Sequence, residues 1–301
     1  MGSHWCLHNG CLRNVANFLL LHLNFQGTHG LRRFKEGGET MLGELYSPSG
    51  MALETAKAIL YTENPHALNV GLGCSNECTY CYGPLASRQG REKFKAVRLP
   101  KAPPLELVRK QFKKGFKTKG VLMSFLTDPY LPQLKKYTES LVNYLNNWDD
   151  EHDQAIQTAT LSKLDVSSYS HNYNGLTIVS PYKKFSEQYE PGVPSPQTRI
   201  KLLDDLCYDG EYGWVSMEPF PVQDIYPYDT NDIIKFWEEL QTVCTDFIIF
   251  GKWNYDKRAR TEKARQEYAE IVPMFIDFCK DHGIHYHIKS DTLKFIGRDK
   301  A

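Results

Sequence analysis

One loop limits what this chain can fold into more than any other stretch. It reads Gly73-Cys74-Ser75-Asn76-Glu77-Cys78-Thr79-Tyr80-Cys81-Tyr82-Gly83-Pro84, with three cysteines at C-x3-C-x2-C spacing. Thiolates are soft ligands that select zinc, Cu(I) or iron–sulfur clusters. Iron–sulfur clusters are usually held by four cysteines. Three in one loop would take three irons of a 4Fe–4S cluster and leave the fourth open. An open coordination position separates a reactive metal site from a closed structural one. The competing reading is a structural zinc loop, which needs a second half-site at a defined spacing. Cys207, Cys244 and Cys279 each stand alone in an apolar, helix-like run and read as small buried hydrophobes.

Around this loop, short apolar runs alternate with helix-length periodic segments. Strands are expected over 66–72, 121–126, 155–161, 176–180, 214–217 and 247–250, apolar as strands buried on both faces should be. Helices are expected over 104–116, 134–145, 197–207, 232–243 and 263–280. The fourth has Asn231 or Thr230 as N-cap, and the last runs toward Gly283 as C-cap glycine. Repeated strand–helix units imply parallel pairing with right-handed crossovers. Six units are too few for a closed eight-fold barrel, so the expected fold is α/β, a partial (β/α)6 TIM-like barrel.

Residues 1–40 do not share this pattern. They open Met1-Gly2-Ser3-His4 and later read Asn24-Phe25-Gln26-Gly27, like an expression tag and protease site. We read them as a leader or tag-like, disordered segment, with residues 41–301 as the functional domain. Cys6 and Cys11 with His4 and His8 are a weak metal candidate there. No run of 18 apolar residues exists, so no membrane span is expected. Eight cysteines in 301 residues are too few for a disulfide scaffold. Three clustered at ligand spacing argue for a reducing cytosol.

Active-site groups in barrel-like α/β folds lie at the carboxyl ends of the strands. At those ends the sequence places Cys74, Cys78 and Cys81, then Ser124 to Tyr130, then Ser162 and Lys163, then Ser180 and Tyr182. The last two strands end in Ser216, Met217 and Glu218, and in Gly251 to Tyr255. Taken singly, Asp128 or Glu218 before a proline can simply start a turn.

The cysteine loop resembles the signature of the radical S-adenosylmethionine (SAM) enzymes. Further blocks narrow the resemblance to the spore photoproduct lyase-like branch. They are Tyr46-Ser47-Pro48-Ser49-Gly50, the run Ala67 to Cys74, Thr127-Asp128-Pro129-Tyr130, Glu190-Pro191-Gly192 with Pro194-Ser195-Pro196, Arg199-Ile200, and Trp214 to Pro219. The resemblance covers about residue 45 to the end. It implies a 4Fe–4S cluster on Cys74, Cys78 and Cys81, with SAM chelated at the open iron and cleaved reductively to a 5′-deoxyadenosyl radical. Tyr80 would lie near the adenine. Ser124, Thr127 and Asp128 would hold the amino-acid end of SAM. Ser162, Lys163 and Ser180 would lie near its carboxylate and ribose, and Ser216 and Glu218 would complete the cofactor-binding set. In this branch two tyrosines like Tyr80 and Tyr82 help relay a hydrogen atom from a strand-two cysteine. Here that strand ends Ser124-Phe125-Leu126-Thr127-Asp128, without a thiol, so direct thymine-dimer reversal is not expected.

The implied partners are a flavodoxin- or ferredoxin-type electron donor and, as one substrate class, nucleic acid. Between Arg88 and Lys119 the chain carries twelve Lys or Arg against Glu92 and Glu106, with Phe94, Phe112 and Phe116 interleaved. Such a stretch can track a phosphate backbone. It can equally be the solvated face of a helix packed on the sheet. The formal net charge of zero gives no global push toward nucleic acid. Two other readings stay open: a radical SAM modifier of a peptide or small molecule, and a non-catalytic metal-binding nucleic-acid module.

Overall fold

Four-residue runs such as Gly120-Val121-Leu122-Met123, buried throughout, can only be satisfied inside a sheet covered on both faces. The computed structural model describes residues 42–148, 155–167, 169, 171–208, 211, 213–243 and 245–298. Tag-like residues 1–40 and Cys244 lie outside these, as does the side chain of Cys207. The described elements run in chain order β1 (Leu45–Tyr46), α1 (Met51–Leu60), β2 (His66–Leu68), α2 (Gly83–Ala86), α3 (Arg91–Phe94), α4 (Pro104–Lys113), β3 (Gly120–Met123), α5 (Lys135–Asn146) and β4 (Gln157–Ser162). They continue β5 (Asn172–Thr177), α6 (Lys183–Tyr189), α7 (Pro196–Tyr208), β6 (Gly213–Phe220), α8 (Thr230–Thr242), β7 (Thr245–Lys252), α9 (Glu262–Asp281), β8 (His285–Ile288) and α10 (Ser290–Phe295).

One eight-stranded sheet follows the chain order from β1 to β8. β1 pairs antiparallel with β2, and every later neighbour pairs parallel. Register places Val121 opposite Thr158 and Val215 opposite Ile248. All six expected strands are present within a few residues. β8 escapes a reading by apolar runs because His285-Tyr286-His287 are exposed or half-buried. Between β4 and β5 there is a loop instead of a helix, and its side of the sheet is lined by the buried polar residues Thr158, Thr160, Asn172 and Asn174.

The position of α1 shows that the sheet is curled. Ala56, Ile59 and Leu60 share one apolar cluster with Leu122 on β3, Ala159 on β4, Trp214 on β6 and Ile249 on β7. Glu54, one turn earlier, bonds His287 on β8 at 2.7 Å. Strands stand about 4.8 Å apart, so β3 to β8 would span about 24 Å in a flat sheet. A helix is about 10–12 Å across and cannot bridge that, so α1 lies in the concave face of a partial barrel.

The other long helices cover the outside. Val108 and Phe112 of α4 are buried while Lys110 and Lys113 are exposed. α8 is capped by Asp229, whose side chain accepts from the Asn231 amide at 2.7 Å, so the expected cap at Asn231 or Thr230 moves back by one or two residues. Thr261 caps α9 by accepting from the Ala264 amide. Among the described residues, no helix is long and apolar enough to cross a membrane.

Candidate active site

Because β2 to β8 are parallel, their carboxyl ends share one rim of the curled sheet. The cysteine loop leaves β2 at this rim and is zipped to the segment leaving β3. The Gly73 amide donates to Leu126 O at 3.1 Å, and the Thr127 hydroxyl donates to Gly73 O at 2.6 Å. Gly73 has φ +102°, and a Cβ there would meet Ala96 O at 2.5 Å. Glycine is therefore required one residue before the first cysteine. Asn69 Oδ1 accepts from the amides of Phe125 and Leu126, which fixes the same segment from β2.

Asp128 is the hub between the loops. Its carboxylate accepts from Asn76 Nδ2 (3.0 Å), the Ser162 hydroxyl (2.6 Å), the Lys163 amide (2.8 Å) and the Tyr130 amide (3.0 Å). Burial outweighs these donors and holds its carboxyl above the ordinary range. Thr127, Asp128 and Ser162 thus hold the loops of the rim to one another. Ser124 differs: its hydroxyl is buried without a hydrogen-bond partner.

Cys78 is buried, and Cys74 and Cys81 are half-buried. Burial pushes the thiols of Cys74 and Cys78 up to about 12 and raises that of Cys81 as well. Such thiols become thiolates only beside a compensating cation. The Gly83 amide points at Cys81 Sγ from 3.3 Å, a backbone donor of the kind that tunes cluster sulfurs. Among the described residues, no three His, Cys, Asp or Glu side chains close on a single metal ion. A cluster makes a different demand, because thiolates that each take a different iron stand around it. Three thiols in one loop, one buried and two half-buried, with an amide aimed at a sulfur, suit a 4Fe–4S cluster in donor chemistry.

The two tyrosines of the loop face different ways. Tyr80 is buried; its hydroxyl donates to the Glu190 carboxylate and accepts from Lys163 Nζ at 2.8 Å. Lys163 Nζ also reaches Glu190 at 3.2 Å. Tyr82 is 39% exposed, with its hydroxyl donating to Phe125 O at 2.7 Å. Glu190 accepts further from Arg199 Nη2 at 2.5 Å and from the Ser186 hydroxyl at 3.0 Å. Burial pushes its carboxyl up, but Lys163, Arg199 and their hydrogen bonds outweigh this and hold it at about 2.

The remaining expected residues spread along the rim. Ser180 is buried, and its hydroxyl accepts from the Tyr182 amide. Ser216 is buried on β6. Glu218 is partly exposed, 4.0 Å from Lys289 Nζ. It lies against Gly251, where a Cβ would meet its Cγ at 2.8 Å. Asn76, Glu190, Arg199 and Arg91 carry no role in the sequence reading. Arg91 donates to the carbonyls of Cys78 and Thr79 and so braces the loop from α3. Glu190 and Arg199 lie in sequence blocks that mark the branch, but nothing local shows that they meet Tyr80.

The fold is that of the radical SAM enzymes, of the spore photoproduct lyase-like kind. A tyrosine-to-phenylalanine variant of spore photoproduct lyase superposes with a TM-score of 0.55 at 12% identity, over 74% of this chain and 76% of that one. A variant of the same enzyme with bound AdoMet and dinucleoside spore photoproduct gives 0.54 at 12% identity, over 74% and 76%. SuiB of Streptococcus suis gives 0.52 at 11% identity over 77% of this chain and 50% of that one, and its SAM-bound form gives 0.51 at 10%, over 77% and 52%. No protein-family model and no curated protein sequence matches the chain.

Proposed function

We propose that this protein is a radical SAM enzyme. It binds a 4Fe–4S cluster through Cys74, Cys78 and Cys81 and SAM beside it. One observation carries the reading: three thiols at C-x3-C-x2-C spacing, one buried and two half-buried, lie in a loop bonded to the segment after β3, with the Lys163 ammonium near Cys78 and Cys81. When bound, the cluster and SAM supply a one-electron cleavage that yields a 5′-deoxyadenosyl radical for hydrogen abstraction.

The residues of the chain supply position. Ser124 and Lys163 take the amino-acid end of SAM. Asp128 keeps the loops that carry them in register. Tyr80 and Trp253, edge to face with centroids 5.3 Å apart, close an apolar wall behind the cysteine loop. Tyr82 and Glu218 face the open side of the rim, where substrate enters. The electron comes from a flavodoxin- or ferredoxin-type donor in a reducing cytosol, where the thiols stay free.

Nucleic acid is the proposed substrate class, bound through the basic stretch from Arg88 to Lys119. Of that stretch, Lys110, Lys113, Lys114, Lys117 and Lys119 are exposed. Direct thymine-dimer reversal is not proposed, because no cysteine ends β3.

Anaerobic reconstitution with iron and sulfide, followed by dithionite and SAM, tests the reading. The expected product is 5′-deoxyadenosine, lost when any of the three cysteines becomes alanine. A protein that holds one zinc ion and leaves SAM intact would make the loop structural and the radical reading wrong.

A further inference from the structure

We infer that Glu190 is a positioning residue for the cysteine loop and sets the charge beside the cluster that loop holds. The inference rests on the radical SAM reading above. The corner between α6 and α7 grips the loop at three points. Tyr189 O accepts from the Thr79 amide at 2.9 Å. The Glu190 carboxylate accepts from the Tyr80 hydroxyl. The Gly192 amide donates to Asn76 O at 3.2 Å. These contacts lie on both sides of Cys78. The approach is so close that a Cβ on Gly192 would meet Asn76 Cα and O at 2.9 Å. The residues that space the three cysteines are thus held by a corner 110 residues away in sequence.

The grip carries charge. Glu190 has no exposed side-chain surface and faces two cations, Arg199 at 2.5 Å and Lys163 at 3.2 Å. Asp128, the other buried carboxylate near Lys163, is already filled by four donors. Neutralising Glu190 leaves two cations beside the cysteine loop with only Asp128 opposite. Net charge is one of the quantities that sets the reduction potential of an iron–sulfur cluster. Glu190 therefore holds the potential low, which makes the cluster, once reduced, a stronger one-electron donor.

Glu190→Gln and Tyr80→Phe separate the two roles. In the metal-free full chain, hydrogen exchange at the Thr79 and Cys81 amides should quicken about tenfold in both variants, the equivalent of one lost buried hydrogen bond. In reconstituted protein at matched iron content, the cluster potential, read by redox titration with electron paramagnetic resonance, should rise in Glu190→Gln and stay near wild type in Tyr80→Phe. Lys163→Met, which removes one of the two cations, should shift the potential down and serves where Glu190→Gln does not fold. Unchanged exchange in both loop variants overturns the grip. An unchanged potential in Glu190→Gln, or an upward shift in Lys163→Met, overturns the charge role. A wild-type chain that takes up no cluster defeats the radical SAM reading and the charge role with it, while the exchange measurement still decides the grip.

Discussion

The Tyr80 hydroxyl donates to the Glu190 carboxylate across 110 residues of chain. The aromatic residue inside the cysteine motif is thereby tied to the corner between α6 and α7, and its proton is committed. Tyr82, two residues on, is 39% exposed. Its hydroxyl donates to Phe125 O at 2.7 Å, so the two tyrosines of the motif are held by different elements.

Gly73→Ala should destabilise the protein more than any other glycine change near the loop. Overpacking against Ala96 O costs about 1–3 kcal/mol, and the left-handed backbone at φ +102° adds about 1–3 kcal/mol. Gly90→Ala is the control, since a Cβ there meets nothing within 4 Å. Thermal denaturation of the two variants should separate them clearly; equal melting temperatures would show that the loop yields.

Asp128→Asn puts an amide donor where the carboxylate now receives four donors. Whichever oxygen it replaces, either the Tyr130 amide or the Lys163 amide is then left without its acceptor in a buried place. The expected loss is about 1–3 kcal/mol in urea unfolding. A variant with a wild-type midpoint would remove Asp128 as the hub of the rim.

Glu54 gives a pH signature. Burial pushes its carboxyl up, but His287, Lys289 and Ser290 outweigh burial and hold it at about 2, below its ordinary 4.5. A carboxyl held low in the folded state stabilises above the unfolded value and loses that stability as pH falls through the folded one. Wild type should exceed Glu54→Gln by about 3 kcal/mol at neutral pH. The gap should close as pH drops from 4.5 to 2. A gap independent of pH would mean that Glu54 acts through packing alone.

Replacing Lys113, Lys114 and Lys117 with Gln should weaken binding to a single-stranded oligonucleotide. It should also flatten the salt dependence by up to about 2 in log–log slope. All three side chains are exposed, so the fold should not change. Binding that keeps its affinity and its slope would leave this stretch as the solvated outer face of α4 and its extension.

Much of this protein is local and so legible in the chain. The spacing of Cys74, Cys78 and Cys81 is contiguous, and so are the apolar runs that became β3, β6 and β7. The stripe of Val108 and Phe112 on α4 repeats every four residues, which is what a helix buried on one side requires. These features announce a parallel sheet with a cysteine loop at its carboxyl rim.

Tertiary structure decided the rest. β8 reads as polar, and only pairing with β7 on one side and the hold of α1 make it a strand. α1 looks like an ordinary surface helix until Glu54 meets His287, 233 residues later, inside the curled sheet. Asp128 and Glu218 look alike in sequence, each an acid before a proline, yet one is saturated by four donors and the other is partly open to solvent. Glu190 finds Ser186 and Arg199 within nine residues along the chain. Its other partners, Tyr80 and Lys163, come from separate stretches that only the folded sheet brings to it. A burial pattern can be read from neighbours along the chain, because helix and strand periods are local. The pairing of buried charges cannot, because it is set by which distant segments must share a space without water.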